Sequence, residues 1–254
     1  GDKADVSSVP KSTLDSKWSQ ADKWRSGRVR AKALVVTQSG EGSGPVGYVA
    51  GKAKGSLGGG QLFTRCPELL DEGWFVGLSG QGKSVIQLAN LGDSLAVVDV
   101  YWWSAIGPVE GDKSMGIPIK PGSIKEIRIG DQVPGEEVIG ARVVRRRQQV
   151  SAVALSADKK DSGTEFSLPQ VGLSQSLVLA GLPPKGVISV SVLNPHAETV
   201  QVKVRGIRTG GAFDVQGLSD IAVKPGTTRR VLIPAKAKLG GHAIELIASK
   251  PIAA

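Results

Sequence analysis

The residues with the most obvious chemical promise are Gly77-Leu78-Ser79-Gly80-Gln81-Gly82-Lys83-Ser84. They satisfy the phosphate-loop pattern G-x-x-x-x-G-K-[ST] at every fixed position and follow the apolar Trp74-Phe75-Val76. A loop of that kind holds phosphates with backbone N–H groups gathered at the start of a helix, and an apolar run ending in Asp99 imitates a magnesium-binding strand. The residues that follow, Val85-Ile86-Gln87-Leu88-Ala89-Asn90-Leu91-Gly92-Asp93, begin β-branched and end in turn residues, which leaves no room for that helix. The segment is therefore read as a hairpin connection, with nucleotide binding ranked behind two other functions.

A second group is aromatic. In Val98-Asp99-Val100-Tyr101-Trp102-Trp103, strand alternation puts Val98, Val100 and Trp102 on one face and Tyr101 and Trp103 on the other. Two flat rings spaced that way, roughly 7 Å apart, suit stacking on sugar rings, but rings so placed more often pack beneath another element, here the N-terminal helix or a domain interface. A third group is basic: Arg142, Arg145, Arg146 and Arg147, with Arg128 on a neighbouring strand pattern and Arg229-Arg230 later in the chain. Such a patch points to an anionic envelope polymer or an acidic protein, or is a solvated face; without interleaved aromatics or a recognisable module, nucleic acid is disfavoured. The candidate contact residues are thus Tyr101, Trp103, Arg128, Arg142 and Arg146.

Little else invites chemistry. The single Cys66 rules out an internal disulfide, and with only His196 and His242 beside it a Cys/His metal site is not expected; no cofactor is expected either. Cys66 reads as a small apolar residue more readily than as a reactive thiol. No G-x-S-x-G occurs, and the acidic pairs Glu136-Glu137 and Asp158/Asp161 lie in polar connections. No catalytic residue is assigned, and the chain is read as a non-enzyme.

These residues must be positioned by many short elements. The 254 residues are 40% hydrophobic and 22% charged, with 34 Gly, 14 Pro and few aromatics, which disfavours a helical bundle. The net charge of +9 favours acidic partners. No window approaches ~18 apolar residues, so no membrane span is expected, and the start Gly1-Asp2-Lys3 reads as a processed or recombinant end.

The strongest organisational signal is self-similarity at an offset of 104 residues. Asn90 matches Asn194, Lys120-Pro121-Gly122 matches Lys224-Pro225-Gly226, and Trp74-Phe75-Val76-Gly77 matches Val178-Leu179-Ala180-Gly181. The apolar alternation between these anchors superposes too, with period two. The expected fold is all-β: two tandem immunoglobulin-like antiparallel β-sandwich repeats and one short N-terminal helix. Residues 1–27 are read as a flexible leader with that helix, from a capping box at Ser12-Thr13-Leu14-Asp15 to Gly27, and residues 28–60 as a strand and a Gly-rich loop. Repeat 1 spans 61–160 and repeat 2 spans 161–254. Ala141 to Leu155 reads as a hairpin whose second strand has no counterpart in repeat 2. Residues 28–36 are similar in pattern to 148–156, and strand 29–36 is expected to supply it beside residues 243–249, because sheets seldom leave an edge bare; the alternative is that it pairs within repeat 1.

Through Cys66, Trp74-Phe75-Val76-Gly77, Leu88-Ala89-Asn90 and Lys120-Pro121-Gly122, residues 28 to 254 resemble a family of uncharacterised secreted proteins of actinobacteria. This chain has Leu91-Gly92 where that family usually carries Pro-Gly. The resemblance implies an extracytoplasmic location, with secretion or anchoring through a further N-terminal segment. Members of that family are often encoded near a large membrane glycosyltransferase, so the resemblance also implies an association with envelope glycopolymer assembly. The reading is a scaffold or binding module for a membrane or cell-envelope protein; the alternative is a carbohydrate-binding module taking envelope polysaccharide on Tyr101 and Trp103.

Overall fold

The computed structural model describes residues 3–9, 19–21, 24–26, 33–39, 48–53, 60–65, 67–81, 84–110, 113–157, 164–182, 187–239 and 242–254. These residues are nearly all β, in several antiparallel sheets. Toward the N-terminus lie β1 (Lys3–Val9), β2 (Ser19–Ala21), β3 (Trp24–Ser26), β4 (Ala33–Ser39), β5 (Tyr48–Ala53) and β6 (Gly60–Arg65), paired as β1–β4, β2–β3 and β5–β6. Two expectations are corrected here. Residues 3–9 of the supposed leader form a strand, and the later part of the expected helix is the β2–β3 pair; residues 12–18 lie outside the described residues. Leu14, Trp18 and Ala21, the three apolar positions at helical spacing that favoured the helix, are too few to stabilise so short a helix without a packing surface.

The first half is a β-sandwich-like body. It contains β7 (Leu69–Leu70), β8 (Glu72–Leu78), β9 (Val85–Asn90), β10 (Ala96–Trp103), β11 (Pro108–Val109), β12 (Ile117–Ile119), β13 (Ser123–Arg128), the one-turn helix α1 (Ile129–Gln132), β14 (Ile139–Arg147), β15 (Val150–Ala157) and β16 (Thr164–Ser167). One sheet runs β11-β10-β14-β8 with β12 on β10, and the other runs β13-β9-β15-β16 with β7 on β15. Alternate residues of both sheets meet in one core, with Phe75, Val98, Val100, Trp102 and Val143 from one face and Ile86, Leu88, Ala152 and Ala154 from the other.

The second half contains β17 (Ser174–Leu179), β18 (Ile188–Asn194), β19 (Val200–Arg208), β20 (Gly211–Asp214), β21 (Ile221–Val223), β22 (Thr227–Ile233) and β23 (Ala243–Ile252). Its sheets are β17-β23-β19-β20, with β21 on β19, and the two-stranded β18-β22. Its core is built on Val192, Val202, Val204, Val223, Ile244 and Leu246.

Buried asparagines close corresponding corners in the two halves. Asn90 donates through Nδ2 to Ser94 O (2.8 Å) and Ile119 O (2.9 Å), and Asn194 donates to Glu198 O (2.7 Å) and Val223 O (2.9 Å). Each also accepts a backbone N–H two residues on, from Gly92 and His196. Both Lys-Pro-Gly turns place the glycine at positive φ, +58° at Gly122 and +59° at Gly226, as the sequence requires.

Three local expectations change. Residues 77–84 and 148–149 are not hairpin loops, because β8 and β14 lie in one sheet of the sandwich while β9 and β15 lie in the other. The connections cross between layers so that successive apolar faces converge on one core. Nor does strand 29–36 pair with residues 243–249. Its described part lies in β4, paired with β1, and both edges of β23 are already taken by β17 and β19.

Candidate functional site

Three neighbouring strands bring the sequence-selected aromatic and arginine residues together. The register sets Tyr101 of β10 opposite Arg142 of β14, and Arg142 opposite Trp74 of β8, which makes one row across the outer face of the sheet. The Arg142 guanidinium lies 5.1 Å from the Trp74 ring centre and 6.0 Å from that of Tyr101. Glu72, two residues before Trp74 and on the same face, binds both neighbours. One carboxylate oxygen accepts from Trp74 Nε1 and the other from Arg142 Nη2, each at 2.6 Å. The Arg142 charge is therefore matched inside the row. Tyr101 is 36% exposed and Trp74 only 4%.

The next row explains Trp103. Gly140 stands opposite it, and the missing side chain admits the second half of the molecule: a Cβ at Gly140 would lie 2.8 Å from both Leu193 Cδ2 and Thr228 Oγ1. Trp103 packs at 5.5 Å on Trp74, within a cluster built on Trp74, Leu193 and Ala253. Thr228 donates its hydroxyl to Trp103 O (3.0 Å) and its N–H to Ser104 O (2.9 Å). Gln170 exchanges backbone hydrogen bonds with Trp74 at 2.9 and 2.8 Å. Of the two rings weighed as an open platform, Trp103 is thus built into the join between the halves, and Tyr101 is the one that faces solvent to a substantial degree. Burial of a large ring against a dry neighbour outweighs its exposure as a ligand platform.

The arginines do not form one open patch. Arg145 pairs with Asp71 at 2.6 Å, and Arg146 pairs with Asp99, whose other oxygen accepts from Gly116 N at 2.7 Å. Asp99 is buried, and both its oxygens are engaged in holding Arg146 and the backbone at Gly116 against the sheet face. Arg128 lies on β13, in the opposite sheet from Arg142, and lines a shallow cleft of about 410 Å³ with Lys113, Lys125, Glu126 and Asp131. It is separated from the others because β13 pairs with β9, a partner that no local pattern specifies. Arg230 reaches Glu137 across the join at 3.2 Å.

The phosphate-loop pattern is followed by strand β9, so no helix N-terminus gathers its N–H groups. Gly80 N instead donates to Glu136 O at 2.8 Å. His196 donates through Nε2 to Pro251 O at 2.7 Å, a structural tie. Cys66 and Asp158/Asp161 lie outside the described residues. Among the described residues no cluster of His, Cys, Asp and Glu is placed to hold a metal ion, and no helix is long and apolar enough to cross a membrane.

Sequence reasoning missed Trp74, Glu72 and Gly140 as parts of the site. Alternation in Glu72-Gly73-Trp74-Phe75-Val76 signals the common face of Glu72 and Trp74, but nothing local says that β8 lies beside β14, which carries Gly140.

A model of a family of unknown function (DUF5719) matches residues 25–254. No curated protein and no solved structure matches the chain.

Proposed function

The chain belongs to this family of unknown function, and we propose, as a reading of its own surfaces, that it is a non-enzymatic scaffold or protein-binding module of the bacterial cell envelope, acting outside the cytoplasm. In this reading two tandem immunoglobulin-like repeats, 61–160 and 161–254, form one docked body that presents surfaces to a membrane protein of envelope glycopolymer assembly. The asparagine corners and proline-glycine turns, recurring at one offset with similar bonding, support the tandem reading.

The observation that carries the scaffold reading is the join. Trp74, Trp103, Gly140, Leu193 and Thr228 lock the halves together, and Arg142 and Glu72 neutralise each other beside it. The side chains best suited to chemistry thus hold a fixed spacing, which is what a scaffold needs. Outside the join, Ile106, Val178 and Ile247 remain exposed and offer apolar contact to a partner.

The test is capture from detergent-solubilised envelope, with the chain beside Ile106→Asp and Val178→Asp variants that keep its melting temperature. Recovery of one membrane protein, lost with either variant, is the expected result. Recovery of no protein at any salt concentration overturns the reading. The carbohydrate alternative keeps one observation in its favour, the exposed Tyr101 ring beside Arg142. Glycan binding abolished by Tyr101→Ala would promote it above the scaffold.

A further inference from the structure

Arg142, Arg145, Arg146 and Arg230 each meet a carboxylate. Lys113, Lys125 and Arg128 behave differently. Among the described residues none of these three side chains forms an ion pair or a hydrogen bond, yet all three line the one cleft of about 410 Å³. Two carboxylates, Glu126 and Asp131, line the same cleft and pair with none of its cations. Opposite charges that share a cleft and stay apart leave both kinds of group free for a ligand, the cations as donors and the carboxylates as acceptors.

The fold builds this cleft beside an edge strand. β13 is paired by β9 alone among the described residues, and it contributes Lys125, Glu126 and Arg128, while α1 contributes Asp131 and Gln132. Ile117 and Ile127, both buried, give the cleft its apolar surface. Gln132 is fixed from the core side. Trp102 Nε1 donates to Ser114 Oγ at 2.7 Å, and Ser114 Oγ donates to Gln132 Oε1 at 2.9 Å. The serine hydroxyl has one proton, and the indole supplies its other bond, so the carboxamide oxygen is committed to this chain. Gln132 Nε2, the donor that is left, has no partner among the described residues.

We infer that this cleft binds a phosphorylated sugar or polyol. Phosphate oxygens only accept in their ionised form, and Lys113, Lys125, Arg128 and Gln132 Nε2 are the matching donors. Three cations against two carboxylates leave the cleft positive, which favours an anion. The carboxylates suit the hydroxyl groups of the same ligand. Glu126 commits one oxygen to Gln87 Nε2 at 3.0 Å and keeps the other, and Asp131 keeps both. The volume falls in the range of small-molecule sites, about 300–1,000 Å³. No aromatic side chain lines the cleft, so recognition here rests on charge and hydrogen bonds, unlike stacking on Tyr101. None of the lining residues belongs to the join, and the inference stands apart from the scaffold reading.

The experiment titrates the full chain with glucose 1-phosphate, inorganic phosphate, glucose and phosphoethanolamine, followed by calorimetry and by amide shifts in NMR spectra. The expected result is saturable binding of glucose 1-phosphate, with shifts confined to residues 113–117 and 125–132. Inorganic phosphate and phosphoethanolamine should bind about tenfold more weakly and glucose not at all, because only the sugar phosphate engages cations and carboxylates together. The Lys125→Gln, Arg128→Gln chain should bind about tenfold more weakly, whereas Arg147→Gln, Lys224→Gln, which removes the same charge outside the cleft, should bind as the unsubstituted chain does. Gln132→Glu keeps an acceptor for Ser114 Oγ and replaces the free donor by an anion, so it should abolish binding at an unchanged melting temperature. Absence of saturable binding, shifts spread over the surface, or equal losses in the two paired-charge variants overturn the inference. Inorganic phosphate bound as tightly as glucose 1-phosphate, or phosphoethanolamine bound more tightly, overturns the assignment of the carboxylates to hydroxyl groups and with it the sugar or polyol.

Discussion

The halves of this molecule use the same corners and reach different degrees of closure. Residues 69–167 enclose their core between two sheets of five strands each, whereas residues 174–252 set one five-stranded sheet against only two strands. Phe75 is 1% exposed, while Leu179, at the matching position of β17, is half-buried. Local pattern thus makes strands in both halves, but how many of them join each sheet is decided by pairing between segments distant in sequence. The halves also share a single join, so the more open one leans on its neighbour.

The largest effect should separate the closed core from the open one. Phe75→Ala should cost about 4 kcal/mol, the usual range for emptying an aromatic site in a rigid core, whereas Leu179→Ala should cost about 1.5 kcal/mol because its surroundings are partly solvated. Urea denaturation of the two variants compares them directly, and equal losses would break the contrast. Next in size is the corner the halves share. Asn194→Ala removes the donor to the buried carbonyl of Val223 and to the part-buried one of Glu198 and should cost about 2 kcal/mol more than a surface substitution, roughly 3 kcal/mol in all, with Asn90→Ala comparable in the first half. Residue-resolved hydrogen exchange should then place each loss in its own half.

A smaller effect should fall on the join. Gly140→Ala forces a methyl group against Leu193 and Thr228 and should cost about 2 kcal/mol, splitting the calorimetric transition into two as the halves uncouple. A single unshifted transition would mean that the join carries little of the stability.

The smallest effect is electrostatic and confined to the second half. Glu198 is held below the ordinary glutamate range by its hydrogen bond to Lys250 and then by the charge of that lysine. Asp214 is lowered chiefly by its hydrogen bond to Lys203. A carboxylate whose folded pKa is depressed adds stability above its unfolded pKa and loses it as pH falls through the folded one. Stability should therefore decline on the acid side of the carboxylate range, slightly because both groups are exposed. Lys250→Met and Lys203→Met should flatten that decline in melting curves recorded from neutral to acid pH.

Much of the local structure was legible from residue order. Alternation in Val98 to Trp103 correctly separated the buried Trp102 from the outward Tyr101 and Trp103, and Asn90 and Asn194 marked the corners. The contact group was only partly legible. Tyr101, Trp103 and Arg142 do come together, but Arg128 and Arg146 are held elsewhere, by β13 and by Asp99. The phosphate-loop pattern was set aside on the β-branched start of the next segment, and the observed strand β9 agrees.

Residue order by itself determined the strands, their inward and outward faces and the turns between them, because those depend on interactions within a few residues. It also encoded the self-similarity at 104 residues, since both copies of each signal are local. Only the tertiary structure decided that β8 and β10 flank β14, that Trp103 lies against the second half, and that Glu72 neutralises Arg142. Those outcomes rest on pairing between strands tens of residues apart. Each such pairing is chosen by the total apolar surface it buries against the entropy of closing the intervening chain, a balance no short segment contains.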